Sequence, residues 1–159
     1  LDTFLPATPA GIIELIKRSK IQTEGKKCLV IGRSQIVGRP ISILLSQSKV
    51  FGNSTVTVAH SKTINLKELC IDSDLIISAI GSPEFIKGNM IKKGSTIIDV
   101  GITRVDDSSS NKGYRIVGDV DFNSVSDRVG YITPVPGGVG PMTIAMLLQN
   151  TLKACSLSD

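Results

Sequence analysis

Tryptophan is absent from this 159-residue chain, aromatic residues make up only 4% of it, and there is a single histidine. The core must therefore be aliphatic, and Val and Ile crowd into short runs that suit buried parallel strands. Cysteine is sparse as well. Cys28, Cys70 and Cys155 are odd in number and widely spaced, which fits neither a disulfide framework nor a metal knuckle and reads as reduced cytosolic thiols. No apolar run approaches the roughly 20 residues that span a bilayer, and no charged segment followed by an apolar stretch opens the chain, so a cytoplasmic, membrane-free protein is expected. The opening Leu1-Asp2-Thr3-Phe4-Leu5-Pro6 has no methionine and reads like the middle of a longer polypeptide. Acid is in mild deficit, with 14 Asp and Glu against 18 Lys and Arg, a net charge of +4. The bases are scattered without interleaved aromatics, which disfavours a nucleic-acid partner; a modest basic excess also suits phosphorylated cofactors and polyanionic small substrates.

What is present is 41% hydrophobic residues in one chain of single-domain length. Thr8-Pro9 offers an N-cap and a first-turn proline, and Ile12, Ile13, Leu15 and Ile16 give the apolar stripe of a first helix ending at Lys17-Arg18. Cys28 to Ile31 predicts a buried strand stopping at Gly32, and Pro40 sits in the opening turn of a helix through Leu45. Further strands are expected at 55–59, 75–80 and 96–100, with a short helix at 65–71. After the polar loop 106–113, Tyr114 to Val117 alternates like a hairpin strand. Tyr131-Ile132 is a last short strand, followed by a final helix from about Met142 to Cys155. Alternation of this kind predicts an α/β fold: a Rossmann-like parallel sheet with helices on both faces and a small β-hairpin excursion.

The chemistry concentrates at Gly32-Arg33-Ser34-Gln35-Ile36-Val37-Gly38. A glycine ending a strand lets the backbone turn sharply and approach a ligand, and the helix that follows offers unpaired N–H groups to a phosphate. Ser34 stands where the usual G-x-G-x-x-G fingerprint has its second glycine, so the motif is partly met, and a plain strand-to-helix turn without ligand is the competing reading. The acidic residue that holds ribose hydroxyls in an NAD site, about 20 residues on, is missing. Ala59-His60-Ser61-Lys62-Thr63 stands there, and Arg33 lies in the first turn with a planar fork suited to a ribose phosphate, which favours NADP over NAD. Lys62 also reads as a solvated charge. His60 reads as packing beside the cofactor or capping its loop rather than as an acid or base, and Asp99, Asp119 and Asp121 as strand-end and turn residues. Pro134-Val135-Pro136-Gly137-Gly138-Val139-Gly140-Pro141 combines stiffening prolines with glycines that permit close approach. It reads as a ligand-facing loop or as an irregular connection into the last helix.

At these residues the sequence resembles the methylenetetrahydrofolate dehydrogenase/cyclohydrolase (FolD) family. The matching blocks are Pro6 to Pro9, Val30 to Pro40, His60 to Thr63, Ile98 to Ile102, Gly118 to Asp121 and Ile132 to Met146, and the likeness runs from about residue 2 to about residue 154. The resemblance implies NADP-dependent oxidation of methylenetetrahydrofolate to methenyltetrahydrofolate and hydrolysis of the latter to formyltetrahydrofolate. It implies that Gly32, Arg33, Ser34, Ser61 and Ile102 line the dinucleotide site, with Arg33 and Ser61 near the ribose phosphate, and that Pro136, Gly137, Gly138, Val139 and Gly140 border folate and nicotinamide. The family's catalytic Lys, Tyr and Gln and its folate-binding Asp lie in an N-terminal domain that this chain does not include, so no catalytic residue is assigned here. Residues 1–159 are thus expected to form one NAD(P)-binding domain, with 1–20 a linker helix toward the missing catalytic domain. Apolar positions facing that domain, Ile12, Ile16, Met142, Met146 and Leu147, are expected to be exposed. The intact protein is expected to be a homodimer, and the chain alone to bind cofactor without turnover. The alternative from another class is a stand-alone dinucleotide-binding or sensing module acting through a protein partner.

Overall fold

In the computed structural model, which describes residues 3–157, a parallel sheet is sandwiched between two layers of helix. The first two residues of the expected 1–20 linker lie outside the described residues. The chain runs through α1 (Ala7–Arg18), β1 (Lys27–Ile31), α2 (Gly38–Ser46), β2 (Thr55–Ala59), α3 (Leu66–Asp72), β3 (Leu75–Ser78) and β4 (Thr96–Asp99). It continues with β5 (Thr103–Asp106), β6 (Tyr114–Val117), α4 (Phe122–Val125), β7 (Tyr131–Ile132) and α5 (Val139–Ser156). Five strands form one sheet in the order β2-β1-β3-β4-β7 with every pairing parallel. β5 and β6 form the separate antiparallel hairpin.

Alternation along each strand feeds two cores. Cys28 and Val30 of β1 pack with Ile12 and Ile16 of α1, Ile41 and Leu45 of α2 and Val139 of α5. Leu29 and Ile31 point the other way, onto Cys70 of α3, Ile86, Ile91 and Val125 of α4. Because both faces are covered, β1 and β3 are near-continuous apolar runs, and β4, Thr96-Ile97-Ile98-Asp99, is buried at every position. At about 25 cal/mol per Å² of buried apolar area, these aliphatic side chains supply the main driving force for folding.

Several expectations are corrected. α1 begins at Ala7 after Pro6, so Thr8 does not cap it; the Thr143 hydroxyl donates instead to Thr8 Oγ1 at 3.0 Å and ties α1 to α5. α5 starts at Val139 rather than Met142, because Pro141 falls in the first turn, where a missing N–H costs nothing. Ile12 and Ile16 are fully buried, not exposed. α5 lies directly across α1: a Cβ on Gly11 would meet Met142 Cβ at 3.0 Å. Met142 and Met146 are half-buried, while Leu147, Leu148 and Leu152 of α5 are exposed. β3 stops at Ser78, two residues before the expected end, because the amides that follow are captured by a carboxylate described below.

Candidate functional site

In the strand order β2-β1-β3, the chain moves to one side of β1 for β2 and to the other for β3, so the sheet reverses direction between β1 and β3. A crevice at the carboxyl ends of strands on either side of such a point is where open α/β sheets place ligands. The turn Gly32 to Gly38 rises from β1 at this point. Gly32 has φ +121°, and a Cβ there would strike the Ala79 carbonyl at the end of β3. A Cβ on Gly38 would fall on the Gly32 carbonyl. Both glycines are therefore required by close backbone approach. Ser34 Oγ accepts N–H bonds from Val37 at 3.1 Å and Gly38 at 3.3 Å, capping α2 and leaving its own proton to donate outward. The Arg33, Ser34, Gln35 and Ile36 amides make no hydrogen bond to another described residue. Arg33 is exposed and has no ion pair among the described residues.

Beside this turn, β2 ends in a tight loop. The His60 amide donates to Thr63 Oγ1 at 2.8 Å, Thr63 N donates to the His60 carbonyl at 2.8 Å, and Lys62 N donates to His60 Nδ1 at 3.2 Å. His60 thus organises its own loop, as the sequence reading allowed, and its side chain has no carboxylate partner among the described residues. Ser61 and Lys62 are left exposed at the tip. No acidic residue stands between Ala59 and Thr63.

On the other flank lies a cavity of about 520 Å³. Ile102, 70% exposed, lines it together with Pro136, Gly137, Gly138, Val139 and Gly140, so all of the expected loop residues reach one space. Gly137 has φ +104°, a conformation that glycine adopts without strain. Thr8, Val37, Asp99 and Thr143 also line it and were not foreseen. Val37 belongs to the Gly32 to Gly38 turn, which makes the turn and the cavity continuous. The lining is mostly apolar side chain and open backbone, suited to a flat ring with few polar edges.

Two buried carboxylates stand behind this rim. Asp119, fully buried, accepts hydrogen bonds from Ile80 N at 2.7 Å, from Gly81 N and Ser82 N at 3.0 Å each, and from Ser78 Oγ at 3.3 Å. Asp99 accepts from Gly101 N at 2.9 Å, Asp119 N at 3.0 Å and Val120 N at 2.9 Å. Burial pushes the Asp99 carboxyl up to about 6, against the three N–H groups that favour its charge, and the nearby Asp119 carboxylate adds to the rise. Asp121 caps α4, accepting from Ser124 N, and pairs with Lys87. All three are strand-end and turn residues as expected, although the depth of the network was not readable from their spacing. No group of three or more His, Cys, Asp or Glu side chains among the described residues is placed to hold a metal ion.

Residues 6–159 match the family model described as the tetrahydrofolate dehydrogenase/cyclohydrolase NAD(P)-binding domain. The chain belongs to this family. It is 60% identical over 159 residues to the bifunctional protein FolD of Protochlamydia amoebophila, covering 100% of this chain and 54% of that protein. Among solved structures, the FolD enzyme of Campylobacter jejuni superposes with a TM-score of 0.88 at 47% identity, covering 99% of this chain and 52% of that one. The Trypanosoma brucei FolD structure complexed with NADP cofactor and inhibitor gives a TM-score of 0.88 at 44% identity, covering 97% and 51%. The chain spans about half the length of the curated relatives it matches, and in the FolD family it constitutes the C-terminal NAD(P)-binding domain. No helix among the described residues is long and apolar enough to cross a membrane.

Proposed function

We propose that this chain is the NADP-binding part of a bifunctional methylenetetrahydrofolate dehydrogenase and methenyltetrahydrofolate cyclohydrolase, and that by itself it binds the dinucleotide without turning folate over. The observation that carries the reading is Arg33: an exposed residue with no ion pair among the described residues, in the turn after β1, beside a β2 end that has no carboxylate. Gly32 brings backbone to the pyrophosphate, the amides of 33–36, which have no partner among the described residues, and the Ser34 hydroxyl donate to it, and Ser61 and Arg33 take the ribose phosphate. The bound nicotinamide accepts the hydride from the substrate. Ile102 and the Pro136 to Gly140 loop form a low-polarity wall that orients its ring and borders the folate. The NADP complex of the Trypanosoma brucei relative supports the cofactor, and the bifunctional names of the relatives support both activities. The remaining half of such a protein supplies the catalytic residues, covers the exposed side of α5, and completes a cytoplasmic homodimer.

Calorimetric titration of the chain with NADP and NAD tests this directly. NADP should bind in the micromolar range and NAD at least tenfold more weakly. Arg33→Asp should weaken NADP by at least tenfold, about 1.4 kcal/mol or more, and change NAD binding little. Equal losses for the two dinucleotides would remove Arg33 from the phosphate site, and no binding of either at millimolar concentration would overturn the proposed function.

A further inference from the structure

Asp119 is fully buried, yet its carboxylate holds the segment that follows β3. The crevice at the switch point is bounded by the turn after β1 and by the segment after β3, Ala79-Ile80-Gly81-Ser82, and Gly32 packs directly on the Ala79 carbonyl. A turn of three consecutive amides pointing inward has no secondary-structure partner for its N–H groups. Those of Ile80, Gly81 and Ser82 are all taken by one carboxylate, which also ends β3 at Ser78. The carboxylate is placed from its other side. Its backbone N–H is held by Asp99, whose own carboxylate ties Gly101 beside the cavity wall. Glycine at 101 is required because a Cβ there would fall on the Asp119 carboxylate. Three backbone N–H groups and the Ser78 hydroxyl converge on this fully buried carboxylate and make a stiff support, since without them a buried charge would be left unpaired.

We propose that Asp119 is a positioning residue for dinucleotide binding: by fixing the 80–82 turn against the Gly32 turn, it sets the width of the crevice that receives the cofactor. The inference rests on the NADP-binding function proposed above. Replacing Asp119 with Asn keeps the volume but turns an NH2 group toward at least one N–H donor, so that the turn is released while the cofactor-facing atoms are unchanged.

The test measures NADP affinity by calorimetry on the 159-residue chain and on its Asp119→Asn variant, with amide hydrogen exchange at residues 80–82 followed in parallel. A control is Ile16→Ala, a buried truncation two helical turns along α1 from the cavity-lining Thr8, which lowers stability at a residue that does not itself line the cavity and makes no hydrogen bond to the 80–82 turn. The expected result is at least a tenfold loss of NADP affinity and of amide protection at 80–82 in Asp119→Asn, with affinity within twofold of the parent in Ile16→Ala. Wild-type binding with unchanged affinity in Asp119→Asn overturns the inference and leaves the NADP function standing. An equal loss in Ile16→Ala overturns it too, because the effect then follows stability alone. Absence of NADP binding in the parent chain overturns both. If Asp119→Asn does not fold, exchange in the parent decides: amides at 80–82 that are protected and gain protection with NADP support the role, and freely exchanging amides refute it.

Discussion

Asp99 makes the stability of this domain depend on pH in a direction opposite to that of ordinary paired carboxylates. Its folded-state value of about 6 lies above the 3.8 of an unperturbed aspartate. Between those values the folded protein holds a proton that the unfolded chain has released. The stabilisation from protonated Asp99 is therefore fully present below about 4 and is lost as pH rises through about 6. A difference of about two pH units at about 1.4 kcal/mol each gives about 3 kcal/mol. Asp74, Glu84 and Asp107 are shifted the other way, chiefly by side-chain hydrogen bonds, and so is Asp121, where burial pushes up but Lys87 and Ser124 together outweigh it; these contributions are lost as pH falls below about 4, at the low edge of this window. Urea unfolding of the parent and of Asp99→Asn at half-unit steps from pH 4 to pH 7.5 isolates the effect, because every other titrating group is common to both. The Asn variant loses a constant amount from its misplaced NH2, and the parent alone should weaken by up to about 3 kcal/mol between pH 4 and pH 7. Parallel stability curves for the two proteins would refute the idea that burial outweighs the three N–H donors at Asp99.

Gly38→Ala should cost about 1–3 kcal/mol in urea unfolding, because its Cβ falls on the Gly32 backbone, and should lower NADP affinity by at least tenfold in calorimetry. Gly25→Ala, where nothing lies within 4 Å of the new Cβ but φ is +70°, should cost about 1 kcal/mol and leave NADP affinity alone. Ile77→Ala in the fully buried β3 should lower the unfolding free energy by about 2–5 kcal/mol, whereas Leu152→Gln on the outer side of α5, where the residue is 73% exposed, should change it by less than about 0.5 kcal/mol. A large loss at Leu152 in chemical unfolding would mean that this side of α5 is covered in the chain alone.

The β1-turn-α2 unit and β2 were legible because local rules determine them. Cys28 to Ile31 is an apolar run closed by a glycine, and Thr55 to Ala59 is uncharged and mostly β-branched between turn formers. Features that depend on distant residues were not legible. Thr8 has the composition of a cap, but its hydroxyl is drawn to Thr143, 135 residues away. α4, at four residues, is too short to show a helical period. Ile12 and Ile16 were placed toward an absent domain, yet the sheet itself buries them, because a helix on one face of a parallel sheet must turn its stripe inward whatever lies beyond. Of the site, the glycine turn and the Pro136 to Gly140 loop were readable from composition, while Val37, which joins them, has no signature of its own.

Asp99 and Asp119 show why spacing alone missed the supporting layer. Each carboxylate occupies the space that a Cβ would need at a glycine on the opposite segment: Asp99 at Gly118, and Asp119 at Gly101. The two Asp-Gly associations are reciprocal, joining the end of β4 to the segment leaving β6, about 20 positions apart in the chain. Neither glycine is required by its own φ, since both lie outside the left-handed region. A substitution at Gly101 or Gly118 would therefore act first on a carboxylate and then, through Asp119, on the 80–82 turn. The β3 wall of the crevice is thus set by four residues chosen for one another, while the Gly32 wall is set by backbone approach alone. The crevice thus has two walls of different origin, one readable as a glycine pattern and one visible only where the strands end side by side.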